Sequence, residues 1–390
     1  MLTSLALLFF LAFSLGYVFN KLHLPSLLGM LLAGILLGQS GFSLLDDKIM
    51  SISTELRQIA LVIILLRAGL ALKLSELKQV GRPAVLLSFV PATIEICGIM
   101  LLAPALLDVN LFEAALIGSV VAAVSPAVVV PRMLSLMQNK VGTRKGIPQM
   151  LMASGSVDDI FVIVLFSSFV ILCGTGEFSA LSLLDIPISI VLGILLGILG
   201  GLAINLVFKF LKFRNTIKML LTLGLGFLFL SLEQLLKGTV AVSALLGVMV
   251  MGITILKKDE NLAGGLSGKF NSMWVGAEVI LFALVGAEVN LDYALSFGFT
   301  PVLVLLGALC FRMLGVYLSV VGTKLNSRER LFCMIAYLPK ATVQAAIGSI
   351  ALSMGLPCGD MVLTLAVLAI LISAPLGAVG IDLSYKKLLK

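Results

Sequence analysis

Charge is what this sequence has least of: Asp, Glu, Lys and Arg make up 12% of its 390 residues, against 60% apolar. A water-soluble domain carries about 25% charged and about 45–50% apolar residues, so a soluble globule is excluded. Long polar connections are also missing; the longest, 39–55 and 132–148, are about 17 residues each and leave no room for a soluble domain. No low-complexity segment is present. The five cysteines are scattered, with no CxxC pair or disulfide spacing, and read as packing residues in the membrane. The single histidine, His23, falls in a short loop and reads as an ordinary loop residue. No basic residue precedes the first apolar run and no small-residue cleavage site follows it, which argues against a signal peptide. Whatever the chain does, it does inside a bilayer.

What the sequence has is apolar runs, thirteen of them, at 2–19, 24–38, 56–72, 83–106, 111–131, 149–172, 187–208, 217–236, 240–256, 272–289, 300–322, 331–352 and 360–382. At about 20 residues per crossing they predict an all-α polytopic membrane protein with 13 transmembrane helices. The 27 Lys and Arg residues are distributed unevenly: 21 follow odd-numbered segments, three (Lys48, Arg57, Lys237) follow even-numbered ones, and three lie within segments. By the positive-inside rule the odd loops are cytoplasmic, with the N-terminus outside and the C-terminus inside. The same split accounts for the net charge of +7 without any nucleic-acid partner.

The remaining basic residues are Arg67, Arg312 and Lys340, and the intramembrane acids include Glu95, Asp158, Asp159 and Glu278. Ionisable groups at the bilayer centre cost a few kcal/mol or more, and their default reading is an ion or proton pathway. Arg67, about two turns from a segment end, is expected to snorkel. Glu233 and Glu288 read as interfacial, and Glu278 fits either description. Two segments also contain prolines, "SVVAAVSPAVVVPRM" in segment 5 and "AYLPKATVQAAIGS" in segment 12, where the helix should kink or unwind. Glu95, Pro126 and Asp158–Asp159 form one ordered set, and Arg312, Pro339 and segment 13 form another. The step from charged residue to proline is 31 positions in the first set and 27 in the second. Seven segments separate the sets, so they run in opposite directions, which predicts inverted-topology repeats with two broken crossing helices.

Unwound backbone at mid-membrane offers carbonyls to a small cation. Adjacent helical residues point about 100° apart, so Asp158 and Asp159 cannot face the same way. A carboxylate stripped of part of its water, beside a like charge, holds a proton or a hard cation such as Na+ more readily than it stays bare. It holds one or the other, and that competition couples the two fluxes. An intramembrane aspartyl protease needs carboxyls facing each other from separate helices, which neighbours cannot supply; no enzyme is expected.

"AAVSPAVVVPRMLSL", "GSVDDIFVIVLF", "LVGAEV" and "YLPKATVQAAIG" together resemble the cation/proton antiporter superfamily, in particular its two-aspartate branch and the NHA-type Na+/H+ antiporters, over nearly the whole chain. The resemblance implies a homodimer with elevator-type alternating access. It places dimerisation-domain helices 1–3 in residues 1–82 and the first half of a core domain in 83–172. A linker helix and dimerisation-side helices occupy 187–299, and the second core half occupies 300–382. It implies Asp159 as the carrier of Na+ (or Li+) and H+, with Asp158 and Ser125 beside it and no cofactor. Where many relatives carry a lysine this sequence has Arg312, for which the resemblance suggests Glu95 as partner, and "VSP" stands where many carry "TDP". Lys340 is expected to offset negative half-helix ends. The expected location is the cell (inner) membrane. A K+/H+ exchanger and a Na+-coupled organic-solute symporter on a similar scaffold remain as rivals.

Overall fold

A computed structural model of the chain describes residues 1–72, 81–174, 182–211, 213–236, 240 and 242–389, which are mostly helical and include no strand. Lys73, Lys78, Lys212, Lys237 and Lys390 among the loop cations, and Ala241 of segment 9, lie outside the described residues. All thirteen apolar segments contain helix. Among the described residues nine helices are long and apolar enough to cross a membrane, and Ser26–Leu37 and Thr342–Ser353 are shorter apolar helices. The largest departure from the sequence reading is segment 10, whose helix runs Glu260–Glu288 and begins a dozen or so residues early. Its first turns are polar, so hydropathy misses them. Asp259 nevertheless caps them, its Oδ1 accepting from the Leu262 N–H at 2.9 Å. Lys269, read as a loop cation, therefore sits on a helix.

Two compact units emerge. One comprises Met1–Thr54, Lys73–Val162 and Phe282–Lys390; the other comprises Glu55–Leu72 and Ile163–Leu281. In each, small residues let backbones approach, as expected where lipid removes the hydrophobic drive between helices. In the first unit, a Cβ on Gly34 or Gly38 would run into the carbonyls of Ala283 or Ala287. In the second, Gly193 and Gly197 abut the carbonyls of Ser243 and Gly247.

The first unit holds three interrupted segments. Segment 4 is split into Arg82–Leu87 and Val90–Leu106. Segment 5 is split into Leu111–Val121 and Pro126–Gln138. Segment 12 is split into Ser327–Ala336, Thr342–Ile347 and Ile350–Ser353. Segments 5 and 12 both open on an Asn-x-x-Glu capping box, Asn110/Glu113 and Asn326/Glu329, so each half-helix has a defined start.

The breaks follow from proline chemistry. In an unbroken helix the carbonyls of Leu87 and Ala122 would accept from residues 91 and 126. Both are proline and have no N–H. The Tyr337 hydroxyl donates to the Leu87 carbonyl instead, at 3.1 Å. The interrupted segments 5 and 12 also bond to each other, the Ser125 N–H donating to the Pro339 carbonyl at 2.7 Å. Segment 13 seats the second break: the Lys340 N–H donates to Ser373 Oγ at 2.9 Å, and Gly377 leaves room for the Pro339 ring.

Close approach at Gly34 gives a direct test. Gly34→Val should lower stability by about 1–3 kcal/mol through overpacking, read as a fall in the temperature at which detergent-purified protein ceases to elute as a single species. An unchanged temperature would contradict the backbone contact with Ala283.

Candidate ion-binding site

The unwound stretch 122–125 brings the candidate residues together, because each of its polar backbone groups needs a partner in a place without water. Ala122, deprived of a donor by Pro126, has its carbonyl occupied by Arg312 Nη1 and by Lys340 Nζ, the latter at 3.1 Å. The flanking carbonyls of Val121 and Ala123 accept from Gln344 Nε2 at 3.0 and 2.9 Å. The Val124 N–H donates to Asp158 Oδ2 at 2.8 Å. The carbonyls that the sequence reading left open for a cation are therefore taken by side chains from segments 11 and 12.

The charges form one network. Arg312 Nη2 meets Asp158 Oδ2 at 2.9 Å and Nη1 meets Glu95 Oε2 at 3.3 Å. Lys340 Nζ meets Glu95 Oε2 at 2.6 Å, so the nearest cation to Glu95 is Lys340. The guanidinium also donates from Nε to the Tyr337 carbonyl at 3.3 Å and lies 4.9 Å from the centre of the Tyr337 ring. Arginine is suited to this position, since a fixed planar fork can serve several acceptors and stack on an aromatic face at once. Glu95, Asp158, Arg312, Lys340, Tyr337 and Gln344 are all fully buried.

Asp159 differs. It is half-buried, it enters no ion pair found among the described residues, and its buried Oδ1 has no hydrogen-bond partner there. Ser125, fully buried at the start of the helix Pro126–Gln138, also has an unpartnered hydroxyl. Three carboxylates (Glu95, Asp158, Asp159) thus stand against two bases (Arg312, Lys340), and the carboxylate left over is Asp159. Away from this cluster, in the second unit, the Arg67 guanidinium lies over the Trp274 ring at 5.9 Å, so an aromatic face accompanies a charge that was expected to snorkel.

Tyr337 and Gln344 are the residues that the sequence reading missed. Both are uncharged, and only the question of which groups serve the carbonyls left without helical donors at the breaks in segments 4 and 5 would have pointed to them. Arg312→Gln removes the cation bonded to Asp158 and should destabilise the fold by about 3–5 kcal/mol. Arg312→Lys, which cannot serve as many acceptors, should fall in between. Thermal unfolding in detergent measures both, and wild-type stability in the glutamine variant would mean that Asp158 does not depend on Arg312.

Residues 7–383 match the family described as sodium/hydrogen exchanger, transmembrane. The chain is 34% identical over 386 residues to human sodium/hydrogen exchanger 9B2, covering 94% of this chain and 70% of that protein. It is 32% identical over 417 residues to mouse sodium/hydrogen exchanger 9B1, covering 100% and 71%. The fold resembles that of the sodium proton antiporter MjNhaP1 from Methanocaldococcus jannaschii, with a TM-score of 0.84 at 24% identity, covering 100% of this chain and 98% of that one. The chain belongs to the sodium/hydrogen exchanger family, membrane transporters and not enzymes.

Proposed function

We propose that the protein is a secondary active Na+(Li+)/H+ antiporter in which a proton and a cation compete for Asp159. The observation that carries this reading is the lone carboxylate itself. Asp158 and Glu95 are matched by Arg312 and Lys340, while Asp159 has no basic partner among the described residues. One monovalent ion, H+ or Na+, therefore neutralises the cluster, and a bare cluster carries one uncompensated charge. Moving such a charge through the hydrocarbon is costly, so the loaded forms are the ones that cross.

The same balance favours one proton per cation. Asp158 is held by an arginine, which does not release its proton at physiological pH, so no second exchangeable proton is supplied there. Thirteen spans, an outside N-terminus, a homodimer and an elevator-type movement of 83–172 with 300–382 complete the reading. The matching capping boxes of segments 5 and 12 support the inverted repeat.

Asp159→Asn should abolish Na+- and Li+-driven proton release from everted vesicles while the protein still inserts, and Asp158→Asn should weaken it. Running the assay with K+ as well separates the sodium reading from a potassium exchanger, and full activity of Asp159→Asn would refute the site. In proteoliposomes, a K+/valinomycin potential should leave exchange unchanged. One net charge per cycle would feel about 2.3 kcal/mol per 100 mV, so a clear response would exclude one-for-one exchange.

A further inference from the structure

The carbonyls of Val121, Ala122 and Ala123 lie at the break in segment 5, and broken membrane helices commonly offer such groups to a cation. Here Arg312 and Lys340 hold the middle one and Gln344 holds the two beside it. Gln344 is fully buried, and its Oε1 has no partner among the described residues. The amide is thus oriented by donation alone. Besides that amide oxygen, the cluster's unpartnered buried side-chain oxygens are Glu95 Oε1, Asp158 Oδ1, Asp159 Oδ1 and the Ser125 hydroxyl. A charged carboxylate such as Asp159 presents a stronger field to a cation than a neutral carbonyl dipole does. It repays the larger dehydration cost of a smaller ion better.

We propose that Gln344 is a specificity-determining residue. By occupying the Val121 and Ala123 carbonyls it keeps them out of the cation's coordination shell and biases exchange toward Li+ and Na+ over K+. The inference rests on the reading of Asp159 as the exchange site. Gln344 is also the one member of the carbonyl-binding set that is neutral, so replacing it alters carbonyl availability without altering the charge balance of the cluster.

The test is the apparent KM for Li+, Na+ and K+ in proteoliposomes containing wild type, Gln344→Met and Gln344→Asn. Methionine keeps the length and removes both donors. The ratio of KM for K+ to KM for Na+ should fall about tenfold, the equivalent of one hydrogen bond's net worth. Asparagine, one methylene shorter, should keep one carbonyl engaged and give a smaller fall. A ratio that stays at the wild-type value, or three KM values that rise in step, overturns the inference while leaving Asp159 as the exchange site. Failure of both variants to yield folded protein would make Gln344 a scaffold residue and also overturn it. Absence of exchange in the wild type overturns the Asp159 reading and this inference with it.

Discussion

The structure depends on a single carbonyl oxygen that has lost its helical donor. Pro126 removes the N–H that would have paired with Ala122, and in the membrane interior no water is available to replace it. Two cations, Arg312 and Lys340, take its place. Those cations in turn need anions, and Glu95 and Asp158 supply them. An uncompensated buried charge is costly, and in this cluster every carboxylate but one is matched by a base. The exchange chemistry proposed for Asp159 is what that remaining opening permits.

Much of this site could be read from the sequence, because a charge or a proline in an apolar run stands out as a single residue. Glu95, Asp158, Asp159, Arg312, Lys340, Pro126 and Pro339 announce themselves in that way. Which base bonds which acid does not, since it depends on side-chain reach across helices far apart in sequence. Arg312 touches both Glu95 and Asp158, and Lys340 lies nearer to Glu95 than Arg312 does. Gln344 and Tyr337 carry no charge and look like ordinary residues of an apolar segment. Their importance appears only when every orphaned carbonyl is assigned a donor.

Helix limits show the same division. Helix occurs within each apolar segment, yet the polar first turns of Glu260–Glu288 escape a reading by apolar length, because a helix can leave the hydrocarbon without ending. The glycine spacing of "GILLG" at 34–38 is plain in the sequence. Its meaning depends on the backbone it meets, that of Ala283 and Ala287. In both cases the local residue pattern is clear and the partner is remote.

The cross-bonding of the two interrupted helices also sets an order of assembly. Lys340 lies 218 positions after the Ala122 oxygen it satisfies, and Pro339 accepts from Ser125 across a similar gap. As the ribosome delivers the chain from its N-terminus, the first half must wait in the bilayer with its acids unmatched and its exposed peptide oxygens unmet. Only the late arrival of segments 11 and 12 completes it, so truncated or stalled nascent chains should be substrates for membrane quality control.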